Sequence, residues 1–585
     1  PIHLPLPCRV ACPAEGNEDG LSDAFEGVLR RLVGEHAATG QSAPAPAAWG
    51  TAIIKVFGLA AGIAGDNAYA LWTTGPGDAW LVTVAGQVSH WNGTAWTGYT
   101  SGTVSLNANG KLLVRTAITE LPRVDLRDGG PGVHYLSAQQ PLQPYPERIT
   151  DRVAHWVQTR PEQTFMARRV KNADGSLGEW SHLTYADVWA RGKAIAQFLL
   201  DHGLNEQRPV AILSENSLEH AQLAVACLIA GVPHVPVSPP YSLVSQDYDK
   251  LKHVLKTVTP GLVFAQDTRY AKAIAATVPV ELPVVLAQGT CPDRPTLSLQ
   301  DLQAKPATAA VDQAMAATGA DTITKFLFTS GSTKLPKAVI NTQRLWCANQ
   351  QQMFQSMPVL GEPPLVLVDW LPWNHTFGGN HNFGMVMYHG GTLYIDDGKP
   401  TPALMGETLR NLREIAPTVY FNVPTGFEAI AQAMTTDAVL RQKLLSRVHM
   451  FFYAGAALAQ PVWDSLYASA EKELGQRIVM TTGLGMTESG PFAIFVTRPE
   501  VRSGDLGVPT PGLELKLVDI DGKTEVRYRG PNITPGYWRM PEESAESFDE
   551  EGFFKTGDAV LWIDPHNLHL GLKFDGRIAE DFKLA

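Results

Sequence analysis

Between residues 180 and 290, short apolar runs alternate with helix-length stretches, and nothing else in the chain constrains the fold as tightly. Thr184 stands where a helix N-cap is expected. Val188, Ile195, Phe198 and Leu199 then recur on one side of a stretch that reaches Leu200, before Gly203. Residues 210–213 read as a buried strand, 218–230 as a helix and 234–237 as the next strand, with 262–264 and 284–286 continuing the series. Strands separated by helices of this length predict right-handed parallel crossovers, and so a layered α/β fold. Past residue 505 the text becomes β-rich (513–518, 525–528, 559–563) with Gly and Pro turns, which predicts a smaller β subdomain closing the large one.

The first part of the chain has a different character. One amphipathic stretch, 21–36, precedes a small-residue linker at 37–48. Then Trp49, Trp72, Trp80, Trp91 and Trp96 alternate with Gly, Thr and Asn, and Asn92-Gly93 is a hairpin signal between β-like runs. This segment resembles one blade-like repeat of bacterial β-propeller proteins, too little to close a propeller. It predicts a small β-rich appendage without activity of its own, a binding module being the alternative. The expected plan is an irregular or helical segment 1–48, the β-rich appendage 49–118, an α/β core 130–505, a β subdomain 506–576 and a final stretch 577–585. The composition break near residue 120 implies that 1–118 are dispensable for ligand binding.

Hydrophobic residues at 44% and charged residues at 18% exclude a disordered chain. A net charge of −11 argues against bulk binding to nucleic acid or an anionic membrane, while leaving room for a local cationic pocket. Cys8, Cys12, Cys227, Cys291 and Cys347 are too few for a disulfide framework, and the Cys8–Cys12 pair lacks the second pair a zinc site needs. The apolar run 53–64 is too short to span a bilayer, and no secretory leader opens the chain. A cytoplasmic protein is expected.

Chemistry is written most densely in Phe326-Leu327-Phe328-Thr329-Ser330-Gly331-Ser332-Thr333-Lys334-Leu335-Pro336-Lys337. An apolar strand runs into hydroxyl residues and Gly, whose donors suit phosphate oxygens, with two lysines to neutralise them. The spacing is not that of a Walker loop. By itself such a stretch is more often a plain surface turn.

Four further motifs follow it in order: Gly485-Met486-Thr487-Glu488, then Tyr528-Arg529-Gly530-Pro531 with Gly536-Tyr537-Trp538, then Lys555-Thr556-Gly557-Asp558, then Gly576-Arg577. Together with the Ser/Thr/Gly loop they resemble the signatures of adenylate-forming enzymes, the superfamily of acyl-CoA synthetases, luciferases and peptide-synthetase adenylation domains. The resemblance covers roughly residues 130–585 and implies ATP, Mg²⁺ and coenzyme A as cofactor and co-substrates. It implies that Thr329, Ser330, Gly331, Ser332, Thr333 and Lys337 hold the β- and γ-phosphates, that Thr487 binds the α-phosphate and that Glu488 helps hold Mg²⁺. Asp558 is implied to accept from the ribose hydroxyls with Arg577 as a donor nearby. Tyr453-Ala454-Gly455-Ala456-Ala457 resembles the segment where backbone meets adenine, and Gly485 and Met486 belong to the same nucleotide turn.

The acyl pocket is implied by Trp370-Leu371-Pro372-Trp373-Asn374-His375-Thr376-Phe377-Gly378-Gly379, where His375 is the candidate gate beside the substrate carboxylate. Phe377, Phe421, Tyr453, Gly483, Leu484 and Met486 are the candidate pocket wall. Thr487, Glu488, His375 and Lys337 form the expected catalytic set. The purpose of such a site is to replace hydroxide, which does not leave a carboxylate at neutral pH, by AMP, with pyrophosphate departing. Positive charge and fixed donors must meet the charge developing on phosphorus.

Within the superfamily the combination TSGSTKLPKAVINTQ, DWLPWNHTFGGNHNFG, GLGMTESGP and DGRIAEDFKLA is most similar to feruloyl-CoA synthases, although Lys334 stands where many relatives have Gly. The expected activity is conversion of a hydroxycinnamic acid, ferulic above all, to acyl-AMP and then to its CoA thioester. The expected partners are small molecules, with neither nucleic acid nor membrane. An acyl-AMP ligase serving a carrier protein is one alternative. Another is a binding protein with little turnover, because the resemblance ends inside the hinge motif, ahead of the family's mobile C-terminal domain and its lysine.

Overall fold

The computed structural model describes residues 123–578 except 173, 330–334, 363 and 497–501, together with the backbone of four strands between residues 68 and 99. The stretches 21–36, 37–48 and 53–64, Cys8, Cys12, Ser330, Gly331, Ser332, Thr333, Lys334 and residues 579–585 lie outside the described residues. The four early strands form an antiparallel sheet in chain order, with Trp72 opposite Trp80 and Trp91 opposite Trp96.

In the larger unit the helix expected after Thr184 runs Tyr185–Asp201. The Thr184 hydroxyl accepts from the Asp187 N–H at 3.0 Å and the Asp187 carboxylate accepts from Thr184, a reciprocal cap. Val188, Ile195 and Leu199 are buried on the stripe that the 3.6-residue period dictates. A seven-stranded sheet orders Leu297–Ser298, Val284–Leu286, Leu262–Ala265, Val210–Leu213, His234–Pro236, Ile323–Thr329 and Lys337–Thr342. All pairs are parallel but the last, in which Thr329 stands opposite Lys337. The Ser/Thr/Gly loop therefore returns as an antiparallel strand. A Walker loop would enter a helix, so the topology agrees with the spacing.

A second sheet joins Val366–Asp369, Thr392–Ile395, Thr164–Lys171 and Leu177–Thr184. The largest begins with parallel strands Val419–Asn422, Met450–Tyr453 and Val479–Leu484. It continues, antiparallel, through Ile494–Phe495, Asp505–Pro509, Leu572–Arg577, Phe554–Trp562, Lys523–Arg529, Glu514–Ile520, Val133–Ala138 and Val124–Asp128, eleven strands in all. The expected break between 505 and 506 falls inside the strand Asp505–Pro509, and Val124–Asp128, upstream of residue 130, pairs in the same sheet. The composition changes there, but the backbone ladder does not stop, because an unpaired strand edge is costly to leave open. No helix among the described residues is long and apolar enough to cross a membrane.

Candidate active site

Ligands of open parallel sheets bind beyond the carboxyl ends of the strands, and Thr329, Gly455 and Gly485 lie at or just past such ends. Thr329 closes one strand and Lys337 opens its partner. The Lys337 ammonium lies 4.3 Å from the centre of the Tyr537 ring. Tyr537 is held there by main chain: Ile340 N–H donates to the Gly536 carbonyl and Trp538 N–H to the Ala338 carbonyl. Its hydroxyl donates to Glu488 Oε1 at 2.9 Å.

Glu488 sits in the one-turn helix Thr487–Ser489 and is buried. Its carbonyl accepts from Thr534 N–H at 2.8 Å. Burial raises its pKa above the usual carboxylate range, while the Tyr537 hydroxyl, Lys337 and Arg577 pull it back. Thr487 is partly exposed beside it. The turn is tight because a Cβ on Gly485 would stand 1.4 Å from the Pro491 carbonyl oxygen, so only glycine fits. On the neighbouring antiparallel pair, Arg577 Nη1 donates to Asp558 Oδ1 at 2.8 Å, the two residues being Cα partners. Gly455, Ala456 and Ala457 are exposed just past the strand Met450–Tyr453.

A second group is aromatic. The π-helical turn Phe377–Asn382 packs so closely on the loop before it that a Cβ on Gly378 or Gly379 would meet the Leu371 or Trp373 carbonyl oxygen at 2.3 and 2.2 Å. The turn presents Phe377 to Phe421 and Phe452, at centroid distances of 6.4 and 5.9 Å. His375 precedes it, exposed, with Nδ1 accepting from Phe377 N–H at 3.3 Å, and the surrounding protein lowers its pKa.

Tyr453 is not part of this enclosure. Its ring packs on Trp463, 5.5 Å away, while its neighbour Phe452 stands 5.5 Å from Phe421. Side chains alternate along a strand, so the choice between 452 and 453 is a choice of face. Leu484 and Met486 also pack elsewhere, at the margin of the cluster holding Ile494, Val508 and Leu515. Gly483 pairs with Phe495 at the strand end.

Two residues escaped the sequence reading. His381 is 1% exposed and ringed by Phe421, Phe377, Phe452 and Phe492 at 5.0, 5.4, 5.5 and 6.1 Å. Its Nδ1 meets Asn382 Oδ1 at 2.8 Å, which assigns the proton to Nδ1, and its Nε2 has no partner. Lys325 is 1% exposed, its ammonium 3.3 Å from the centre of the Trp346 ring and donating to the Gly379 carbonyl at 3.1 Å. It thereby anchors the π-helical turn. The sequence did carry a signal for it, a lone Lys inside the apolar strand Ile323–Thr329.

Residues 153–538 match the family described as AMP-binding enzyme. The chain belongs to that family. Among its relatives, the peroxisomal long chain acyl-CoA synthetase 7 of Arabidopsis thaliana is 24% identical over 75% of this chain and 67% of that protein. A feruloyl-CoA synthase of Amycolatopsis sp is 27% identical over 65% of this chain and 71% of that protein. The luciferase-like enzyme of the mealworm Zophobas morio superposes with a TM-score of 0.59 at 19% identity, over 75% of this chain and 98% of that one. That likeness confirms the expected α/β architecture. The AMP-binding enzyme family and these relatives support an adenylate-forming acid–CoA ligase class, for which ATP and CoA are consistent co-substrates.

Proposed function

We propose that the protein activates an aromatic carboxylic acid of the hydroxycinnamic class, ferulate above all, with ATP, and passes the acyl group to the thiol of CoA. The observation that supports this reading is the aromatic enclosure of Phe377, Phe421 and Phe452 around a polar atom, His381 Nε2, in the chain that also carries the Lys337, Tyr537 and Glu488 cluster. A planar acid fits edge-to-face packing better than a flexible chain does. A phenolic hydroxyl can donate to the unprotonated Nε2.

In the reaction a carboxylate oxygen attacks the α-phosphorus and pyrophosphate leaves. The CoA thiolate then displaces AMP from the acyl carbon. In this reading Thr487 donates to the α-phosphate and Lys337 balances charge on the leaving phosphates. Asp558, fixed by Arg577, accepts from the ribose hydroxyls. In this reading His375 gates the acid carboxylate. Mg²⁺, when bound with the nucleotide, would supply positive charge at the phosphates. Glu488 offers it one hard carboxylate oxygen, and among the described residues no group of three His, Cys, Asp or Glu competes for a metal. A single carboxylate completed by phosphate oxygens is how Mg²⁺ is commonly held.

Pyrophosphate exchange with ferulate, cinnamate, anthranilate and palmitate tests the reading. Exchange fastest with ferulate is expected. Faster exchange with palmitate overturns the aromatic assignment, and no exchange with any acid overturns the reaction.

A further inference from the structure

We propose that a cavity of about 400 Å³ beside the helix Ile149–Thr159 is a second ligand site, built for the carboxylate of a small amphiphilic monoanion. Arg152, Trp156 and Arg160 stand four residues apart on that helix and its C-terminal cap, so they share one face. The two guanidiniums lie 4.9 and 4.8 Å from the centre of the Trp156 ring. Arg152 spends one of its five donors on the Tyr388 carbonyl, Nε to O 2.8 Å. Asp151, its neighbour in sequence, is paired with Arg148 at 2.9 Å, and among the described residues no carboxylate pairs with Arg152 or Arg160. Burial lowers the pKa of Arg152, as it does for a cation without an anion to offset its lost hydration.

Helix electrostatics do not account for the pair. A cation at a helix C-terminus is favourable, which explains Arg160 by itself. Arg152 lies near the other end, where the dipole opposes it. Phe354, Leu360 and Leu365 supply apolar wall, and His389 contributes an Nε2 that is buried without a partner. Glu362 also lines the cavity, so the three charged side chains sum to a single positive charge. That balance suits one carboxylate and disfavours a polyphosphate. The volume lies in the range of small-molecule pockets. The site goes beyond the proposed reaction and does not depend on it.

Calorimetric titration of the whole chain with cinnamate and octanoate, each beside its uncharged amide, tests the assignment, the cavity's share being the binding that Arg152→Gln removes. The acids are expected to bind and the amides not. Arg152→Gln and Arg160→Gln should each weaken this binding by about tenfold to a hundredfold, with ATP affinity unchanged as a check on folding. Tighter binding of cinnamate marks the natural ligand as aromatic, and of octanoate as aliphatic. Amides binding as well as acids, or both variants retaining wild-type affinity, overturns the site. Loss of all exchange activity with cavity binding intact overturns only the proposed reaction.

Discussion

The polar cluster at Lys337, Tyr537 and Glu488 and the aromatic enclosure around His381 answer burial in opposite ways. In the first, every charge faces a partner: Tyr537 bonds Glu488, and Arg577 bonds Asp558. In the second, an imidazole nitrogen is surrounded by phenyl rings and left unpaired. A buried polar atom without a partner forfeits about 1–3 kcal/mol. The cluster's polar groups are thus partnered within the protein, whereas the enclosure keeps one imidazole nitrogen without a protein partner. This contrast yields predictions that separate the two regions.

The largest effect belongs to the polar cluster. Glu488→Gln keeps the Tyr537 contact but removes the negative charge, and is expected to lower the exchange rate by about 10²–10³. It should also make the rate less dependent on Mg²⁺. Rates within threefold of wild type across a Mg²⁺ series would remove Glu488 from the reacting shell.

Asp558→Ala comes next. Loss of two charge-assisted bonds predicts a rise in the ATP dissociation constant of at least about tenfold, read by calorimetry. The acid should still bind, since the enclosure lies on other strands. A change below twofold sinks the ribose assignment.

The third prediction moves to the enclosure and concerns pH. Burial pushes His220 and His381 down to about 4 and His389 to about 3. A histidine depressed in the folded state contributes stability that is complete above its ordinary pKa of about 6.5 and is lost as pH falls towards the folded value. For His381 the difference is worth about 3 kcal/mol. Thermal melts should therefore weaken between about pH 6.5 and pH 4, and His381→Phe should flatten that slope. An unchanged slope would show that His381 is not held neutral by its phenyl ring neighbours.

The smallest effect is expected at Tyr453. Tyr453→Phe should cost about 1 kcal/mol of stability and leave the Michaelis constant for the acid unchanged. The same assay on Phe452→Ala should raise that constant. If Tyr453→Phe alters acid selectivity instead, the two faces of the strand have been misassigned.

How much of this was legible beforehand varied by region. The residues of the proposed nucleotide site were readable because their motifs are short segments: Gly485 must be Gly for the turn, and Glu488 and Asp558 lie within four residues of the glycines that shape their loops. The cap at Thr184 was readable for the same reason, since its partner Asp187 is three residues away. Of the proposed acid-facing wall, Phe377 and Phe421 were named from the sequence and Phe452 was not. Phe377, Phe421 and Phe452 come from three separate elements, and the choice between Phe452 and Tyr453 turns on strand phase.

The sequence by itself determined the alternation of strand and helix, the Gly-shaped turns and the identity of the charged residues in the signature motifs. These follow from local periodicity and steric limits that act over a few residues. Tertiary structure decided the rest. It ran eleven strands through the expected 505–506 boundary, set Tyr537 against both Lys337 and Glu488, and placed a buried Lys325 under the turn that carries His381. Those outcomes depend on which strand edges meet and which faces are covered. Contacts between residues scores or hundreds of positions apart fix both, and no single stretch of chain encodes them.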